Sequence, residues 1–350
     1  MATTNTLEYK NELKRWSNFI KTVNAPEPRK DFTPRQAVWK KNKATLYHYP
    51  AVNKKYAVPV FFVYSLINRP NILDFAPGSS VIEGLVNSGY DVYLLDWGIP
   101  EYEDKDLTIE DYVDHYIRNA VKRAIRHAGA KEISVVGYCL GGTLAAMYAA
   151  IAEEPIKNLV VATVPIDYTE AAMPDKWAES LRSDGSNQLE GLVDAYGTIP
   201  ADVVENMFLS ITTPVYYSPY VLLLSRADDE VFVEKWHRMN SWTKGHVPLT
   251  GGALKQLNED LHKENKLIKG FFTIHGKKAD LANIDMSLLA VSAKYDHLIP
   301  ESQSLPLMEA VASEDKTYML VETGHVALAL SGKFTAILTE WLSERSKKIE

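Results

Sequence analysis

An α/β architecture with a mostly parallel, doubly wound sheet is what this 350-residue sequence predicts, and three observations carry that expectation. Short β-branched or aromatic runs alternate with stretches of helical periodicity, the pattern of strands joined by crossover helices. Some of those runs, such as Val58-Pro-Val-Phe-Phe-Val-Tyr64, are apolar without alternation, as strands buried on both faces are. The strand at 133–136 runs straight into Gly137-Tyr-Cys-Leu-Gly141 and then into an alanine-rich helix.

The elements follow in order. Residues 1–30 place Leu7, Leu13, Trp16, Phe19, Ile20 and Val23 at helical spacing before the breaker Pro26-Glu-Pro28. That predicts an amphipathic helix, either laid over the main domain or serving as a docking face. Strands are expected at 44–49, 58–64 and 91–95, the last leaving through Asp96-Trp-Gly98, with helices at 80–88 and 109–127. Strand 133–136, helix 140–152 and strand 159–164 come next. Alternation stops between 167 and 270, a stretch rich in aromatics and holding Pro174, Trp177, Pro200, Pro214, Pro219, Trp236, Trp242 and Pro248. It returns with strands at 287–292 and 317–322 and a closing helix at 334–344. The expected division is therefore a catalytic core of 31–166 and 271–350, interrupted by a cap over 167–270.

Glycines two positions either side of Cys139, at a strand-to-helix bend, form the nucleophile elbow of the α/β-hydrolase fold, with a thiol in place of the usual hydroxyl. Gly137 and Gly141 allow close approach of strand and helix backbones, and Gly142 adds clearance. The helix N-terminus favours a thiolate, and the N–H of Leu140 points to where an oxyanion would form. In this fold the acid follows the seventh strand and the histidine the eighth. Asp296 and His325 fill those positions, His325 as general base and Asp296 either orienting it or assisting a substrate hydroxyl. His297, beside Asp296, reads as a structural hydrogen-bond donor. The second oxyanion N–H is expected from Leu66 or Ile67, in the loop after the third strand. Asp96 and Trp97 leave another strand on the same face and can equally be loop and core residues.

Composition narrows the function. A formal net charge of −7 argues against broad nucleic-acid binding, although Lys40, Lys41 and Lys43 form a local basic cluster whose plain reading is a solvated face. One cysteine excludes an internal disulfide framework, and no signal segment or apolar run of spanning length is seen, so a cytoplasmic protein that does not cross the membrane is expected. No phosphate-binding loop, GxGxxG after a strand or paired Cys/His spacing is present, so neither a cofactor nor metal chemistry is expected. A thiol suits exchange of one thioester for another, because attacking and leaving groups have similar basicity; an acyl-CoA is the fitting substrate.

The box Gly137-Tyr-Cys-Leu-Gly-Gly142 resembles that of the polyhydroxyalkanoate synthases, as do Asp296-His297, Gly324-His325, Leu94-Leu-Asp-Trp-Gly98 and the stretch from Tyr64 to Asp74. The similarity runs from about Thr33 to the C-terminus, and the region from Asp31 to Tyr49 looks most like the short, Bacillus-type class IV catalytic subunits, class III less so. The resemblance implies an acyltransferase that joins (R)-3-hydroxyacyl-CoA units, typically 3-hydroxybutyryl, into polyester with release of CoA. Cys139 carries the growing chain, His325 activates the thiol and Asp296 assists the incoming hydroxyl. It also implies a small companion subunit of the R type, a homodimer and association with the polyester granule. Two alternatives stand beside it: a cysteine-dependent hydrolase of the thioesterase or dienelactone-hydrolase kind, and a granule-associated scaffold without activity.

Overall fold

The computed structural model describes residues 2–170, 191, 193–212 and 218–349. Among them an eight-stranded sheet forms from β1 (Gln36–Lys41), β2 (Ala44–Tyr49), β3 (Val60–Val63), β4 (Val92–Asp96), β5 (Ile133–Tyr138), β6 (Ile156–Ala162), β7 (Ser287–Ala293) and β8 (Lys316–Val321). The spatial order is β1-β2-β4-β3-β5-β6-β7-β8. The pairs β1–β2 and β2–β4 are antiparallel and the rest parallel.

Burial explains the unalternated strand sequences. Phe61 and Val63 enter one core layer while Val60 and Phe62 enter the other, so every side chain of β3 is covered. On the first face lie α3 (Ile109–Asp111), α4 (Arg118–Ala128) and α5 (Leu140–Ile151); α2 (Val81–Ser88) and the C-terminal helices cover the second. All residues of α5 are buried, which suits its apolar composition on every side. Helix α2 starts where Ser80 Oγ accepts from the Glu83 N–H and stops at Gly89 in the left-handed region.

The structure departs from expectation in four places. Strand β1 was not anticipated: it is a half-exposed edge strand carrying lysines, and its turn to β2 uses Asn42 at φ 49°. Two of the three lysines of the basic cluster, Lys41 at the strand end and Lys43 just beyond it, are engaged. Lys43 Nζ lies 2.6, 2.7 and 2.9 Å from carboxylate oxygens of Glu101, Glu103 and Asp104, and Lys41 Nζ donates to the His115 carbonyl at 3.2 Å. Strand β6 ends at Ala162, two residues early, because Thr163 turns into the left-handed region. The helix expected over 109–127 contains a π-helical stretch, Tyr112–Ile117, between α3 and α4.

The N-terminal helix α1 (Ala2–Val23) rests on the inserted segment and not on the sheet. Its Asn18 side chain donates to the Ala227 carbonyl at 2.8 Å, and Arg15 lies 3.7 Å from Asp228. Leu13, Trp16 and Ile20 stay exposed. The insertion itself holds α6 (Ala201–Thr212), α7 (Ser218–Ser225), α8 (Glu230–Thr243) and α9 (Gly251–Gln256), with a short antiparallel pair, Thr198–Ile199 on Leu249–Thr250. Pro174, Trp177 and Pro214 lie outside the described residues. After β8 come α10 (His325–Leu330) and α11 (Lys333–Arg345). No described helix is long and apolar enough to cross a membrane.

Candidate active site

Cys139 sits between β5 and α5 at φ 55°, ψ −134°, a conformation that costs a non-glycine residue about 1–3 kcal/mol. The surroundings enforce it. Its N–H is held by the Ala162 carbonyl at 2.9 Å, and its carbonyl accepts from the Gly142 N–H at 2.8 Å. A Cβ on Gly137 would come within 2.5 Å of the Gly142 Cα, and one on Gly141 within 2.3 Å of the Val63 carbonyl oxygen. Glycine at both positions is thus a steric requirement, which brings the loop after β3 up against the start of α5.

Two loops complete the site. Asp296 leaves β7 with a fully enclosed side chain: Oδ1 accepts from the Leu298 and Ile299 N–H groups at 2.9 Å each, and Oδ2 lies 2.6 Å from His325 Nδ1. His325 opens α10 after β8, and its backbone carbonyl is gripped by the Tyr138 hydroxyl. With Nδ1 committed to Asp296, Nε2 is the ring nitrogen left for the Cys139 sulfur. Burial alone would lower the His325 pKa. Together, the negative charge available at Cys139, the hydrogen bonds to Asp296 and Cys139 and the Asp296 charge outweigh it and push the value from 6.5 up to about 10. A histidine held beside a cysteine in this way is the arrangement that can activate a thiol as a nucleophile.

The three residues named from the sequence are therefore together, but Asp296 is not placed to touch a substrate. Its Oδ1 is held by two backbone N–H groups and its Oδ2 by His325, and its side chain is sealed off from solvent. Leu140 begins α5 as expected for an oxyanion donor. Leu66 is buried in the core, whereas Ile67 lines the cavity and its N–H faces Ser65 Oγ at 3.3 Å. Neither Asp96 nor Trp97 lines the cavity over Cys139. Asp96 is turned back to accept from the Gly98 N–H at 3.0 Å, and it lines a separate cleft with Arg35 and Arg69. Trp97 is a buried prop whose Nε1 donates to the Tyr64 carbonyl at 3.0 Å. His297 is exposed beside the triad and outside the cavity lining.

Above Cys139 and His325 lies a cavity of about 310 Å³. Tyr220, Trp236, Met239 and Trp242 of the insertion meet Leu298 and Val326 of the core in its walls, which are overwhelmingly apolar. The insertion is pinned there by three contacts with the loop after β3. Trp242 Nε1 donates to the Arg69 carbonyl at 3.0 Å, Val247 N–H to the Ile67 carbonyl at 3.1 Å, and Asn68 pairs with His246. The sequence reading singled out neither Ser65 nor Tyr138. Ser65 is the first polar residue after an apolar strand, a weak signal, and the role of Tyr138 depends on a partner far along the chain.

This combination of sheet order, elbow and triad defines an α/β-hydrolase-type enzyme, and the family profile described as alpha/beta hydrolase fold matches residues 59–331. Solved structures agree at the level of fold: an esterase from Thermogutta terrifontis, 14% identical, matches 90% of this chain and 100% of its own with a TM-score of 0.52. A carboxylesterase from Nitrososphaera gargenis, 12% identical, matches 89% and 98% with a TM-score of 0.51. Relatives in sequence are more specific. Poly(3-hydroxyalkanoate) polymerase subunits PhaC are 36% identical in Haloarcula marismortui (90% of this chain, 68% of that protein) and 31% in Synechocystis (97% and 92%). The one from Haloferax mediterranei is 36% identical, and this chain spans 65% of its length. The chain belongs to the poly(3-hydroxyalkanoate) polymerase PhaC family.

Proposed function

We propose that the protein polymerises (R)-3-hydroxyacyl-CoA, 3-hydroxybutyryl-CoA foremost, into polyhydroxyalkanoate with release of CoA. The observation that carries the reading is the Cys139–His325–Asp296 set opening into an apolar cavity roofed by the insertion. The sulfur anion attacks the thioester carbonyl, the C–S bond to CoA breaks, and the CoA thiolate takes the proton from His325. His325, now neutral, accepts the proton of an incoming 3-hydroxyl as that oxygen attacks the Cys139 thioester. An ester forms, and the Cys139 thiolate leaves beside a reprotonated imidazole. Leu140 N–H and one N–H of the Leu66–Ile67 loop face the transient oxyanion. Asp296 assists the hydroxyl by keeping His325 in the right tautomer.

Whether water or hydroxyl resolves the acyl-enzyme decides between hydrolysis and polymerisation, and apolar walls favour exclusion of water. The inserted segment 167–270 acts as the cap that provides them. Within the family the chain reads as the short class IV type, working with a small R-type companion subunit, as a homodimer, at the surface of the cytoplasmic polyester granule.

The test is CoA release from 3-hydroxybutyryl-CoA, with and without the companion subunit, coupled to product analysis. Insoluble polyester supports polymerisation, whereas free hydroxy acid means a cysteine hydrolase and no turnover means a scaffold. Cys139→Ala is expected to abolish release and Cys139→Ser nearly so, because a hydroxyl needs stronger base activation. An alanine variant turning over at the wild-type rate ends the covalent scheme.

A further inference from the structure

Away from the catalytic cavity, three metal-ligating side chains converge where the hairpin Thr273–Ile274/Lys277–Lys278 crosses the helix built from α3 and α4. Asp111 and His115 stand one turn apart on that helix, and His275 reaches in from the hairpin tip. Asp111 Oδ1 is 3.7 Å from His115 Nε2 and 3.5 Å from His275 Nε2, and one ligand atom from each residue lies within 4.8 Å of the others. Ligand atoms around a tetrahedral zinc ion, each about 2.0–2.1 Å from the metal, are separated by about 3.3–3.4 Å. Two of the three spacings are therefore within a few tenths of an ångström of that arrangement.

The outward-facing nitrogens supply an independent observation. His275 Nδ1 faces Glu110 Oε2 at 3.6 Å, and His115 Nδ1 faces Asp114 Oδ2 at 3.8 Å. These carboxylates stand at ion-pair and not hydrogen-bond distance, on the side from which acceptors orient the histidine ligands of zinc. Glu110 is itself fixed, since Gln256 Nε2 donates to Oε1 at 2.8 Å and the His275 N–H donates to Oε2 at 2.6 Å. His275 is also held at φ 46°, beside Gly276 at φ 80°, a turn that keeps its ring over the helix. The two imidazoles stack with centroids 4.8 Å apart. Directing both Nε2 lone pairs at one ion requires one ring to turn about its Cβ–Cγ bond, and both rings are open to solvent on one side.

We propose that Asp111, His115 and His275 bind a divalent transition cation of the zinc class, with water in the fourth position. Two imidazoles and one carboxylate suit that class better than magnesium or calcium, which take mainly oxygen ligands. None of the three residues lines the Cys139 cavity, so the ion acts by tying the hairpin, where the chain returns from the insertion to the core, to the helix beneath it.

Zinc is titrated calorimetrically into the full chain after chelator treatment, and thermal unfolding is followed in parallel. The expected result is one equivalent bound with a transition temperature that rises with zinc concentration. His115→Gln and His275→Asn should each weaken binding at least tenfold and remove the thermal gain; asparagine is chosen because it tolerates the left-handed backbone at 275. Cys139→Ala should bind zinc as the wild type does. The proposal is overturned by absence of a zinc isotherm in the wild type, or by binding that survives both histidine variants.

Discussion

Replacing Asp296 by asparagine keeps the shape of the side chain and removes its charge, which isolates what the carboxylate does. The amide oxygen takes the place of Oδ1, where two backbone N–H groups at 2.9 Å require an acceptor. The NH₂ group then stands where Oδ2 now lies, 2.6 Å from His325 Nδ1. A ring nitrogen facing a donor must present its lone pair, so the imidazole proton moves to Nε2 and points at the sulfur it should deprotonate. The same tautomer error in a Ser-His-Asp enzyme lowers kcat about 10⁴-fold, or about 5 kcal/mol of barrier. We expect a fall of about 10³–10⁴-fold in CoA release with the fold intact. Titration of His325 supplies a second readout that needs no substrate. Histidine-selective NMR should find its proton held up to about pH 10 in the wild type. The midpoint should drop in Asp296→Asn and in Cys139→Ala, because both residues help to hold it up. An asparagine variant that keeps its rate within about threefold, with His325 titrating as before, would falsify the assignment.

Three further outcomes follow from the geometry. Gly141→Ala drives a Cβ to 2.3 Å from the Val63 carbonyl oxygen, so the loop after β3 must retreat; stability should fall by about 3 kcal/mol or more in denaturant titration, with activity lost in whatever remains folded. Trp97→Phe deletes the Nε1 bond to the Tyr64 carbonyl at 3.0 Å and leaves that carbonyl unpaired, for about 1–3 kcal/mol read by the same titration. The raised pKa of His325 also sets a sign. A group bound more tightly to its proton in the folded state stabilises fully below its ordinary value, here 6.5, and loses that contribution as pH rises through about 10. The stability difference between wild type and His325→Gln should therefore shrink between those two pH values in denaturant titration, and a difference that grows there refutes the raised pKa.

What was legible in the sequence follows from where the signals lie. The parallel strands could be read because they are covered on both faces and are therefore apolar throughout; Val60 to Val63 is the clearest case. Strand β1 could not be, because half of it faces solvent and its lysines, with Lys43 of the following turn, look like a charged surface until Lys43 meets Glu101, Glu103 and Asp104. The π-helical stretch at Tyr112–Ile117 leaves the apolar periodicity of its helix nearly unchanged, so no local pattern marks it.

The site divides along the same line. Cys139 was readable from its immediate neighbours because the steric demand at Gly137 and Gly141 is local to the bend, although the atoms that impose it at Gly141 belong to β3. Asp296 and His325 were readable because the topology delivers strand ends to one edge, and each follows its strand directly. Topology gives position and not orientation, which explains why Asp96 and Trp97 looked equally eligible. One strand end turned its carboxylate back onto its own loop, and the indole went beneath the catalytic face to hold the Tyr64 carbonyl. The same limit hid the division of labour inside the triad: that Asp296 spends one oxygen on Leu298 and Ile299 and the other on His325 is settled by a tight turn that no spacing rule specifies. A carboxylate enclosed in that way has one available effect on chemistry, the protonation state of the imidazole it holds.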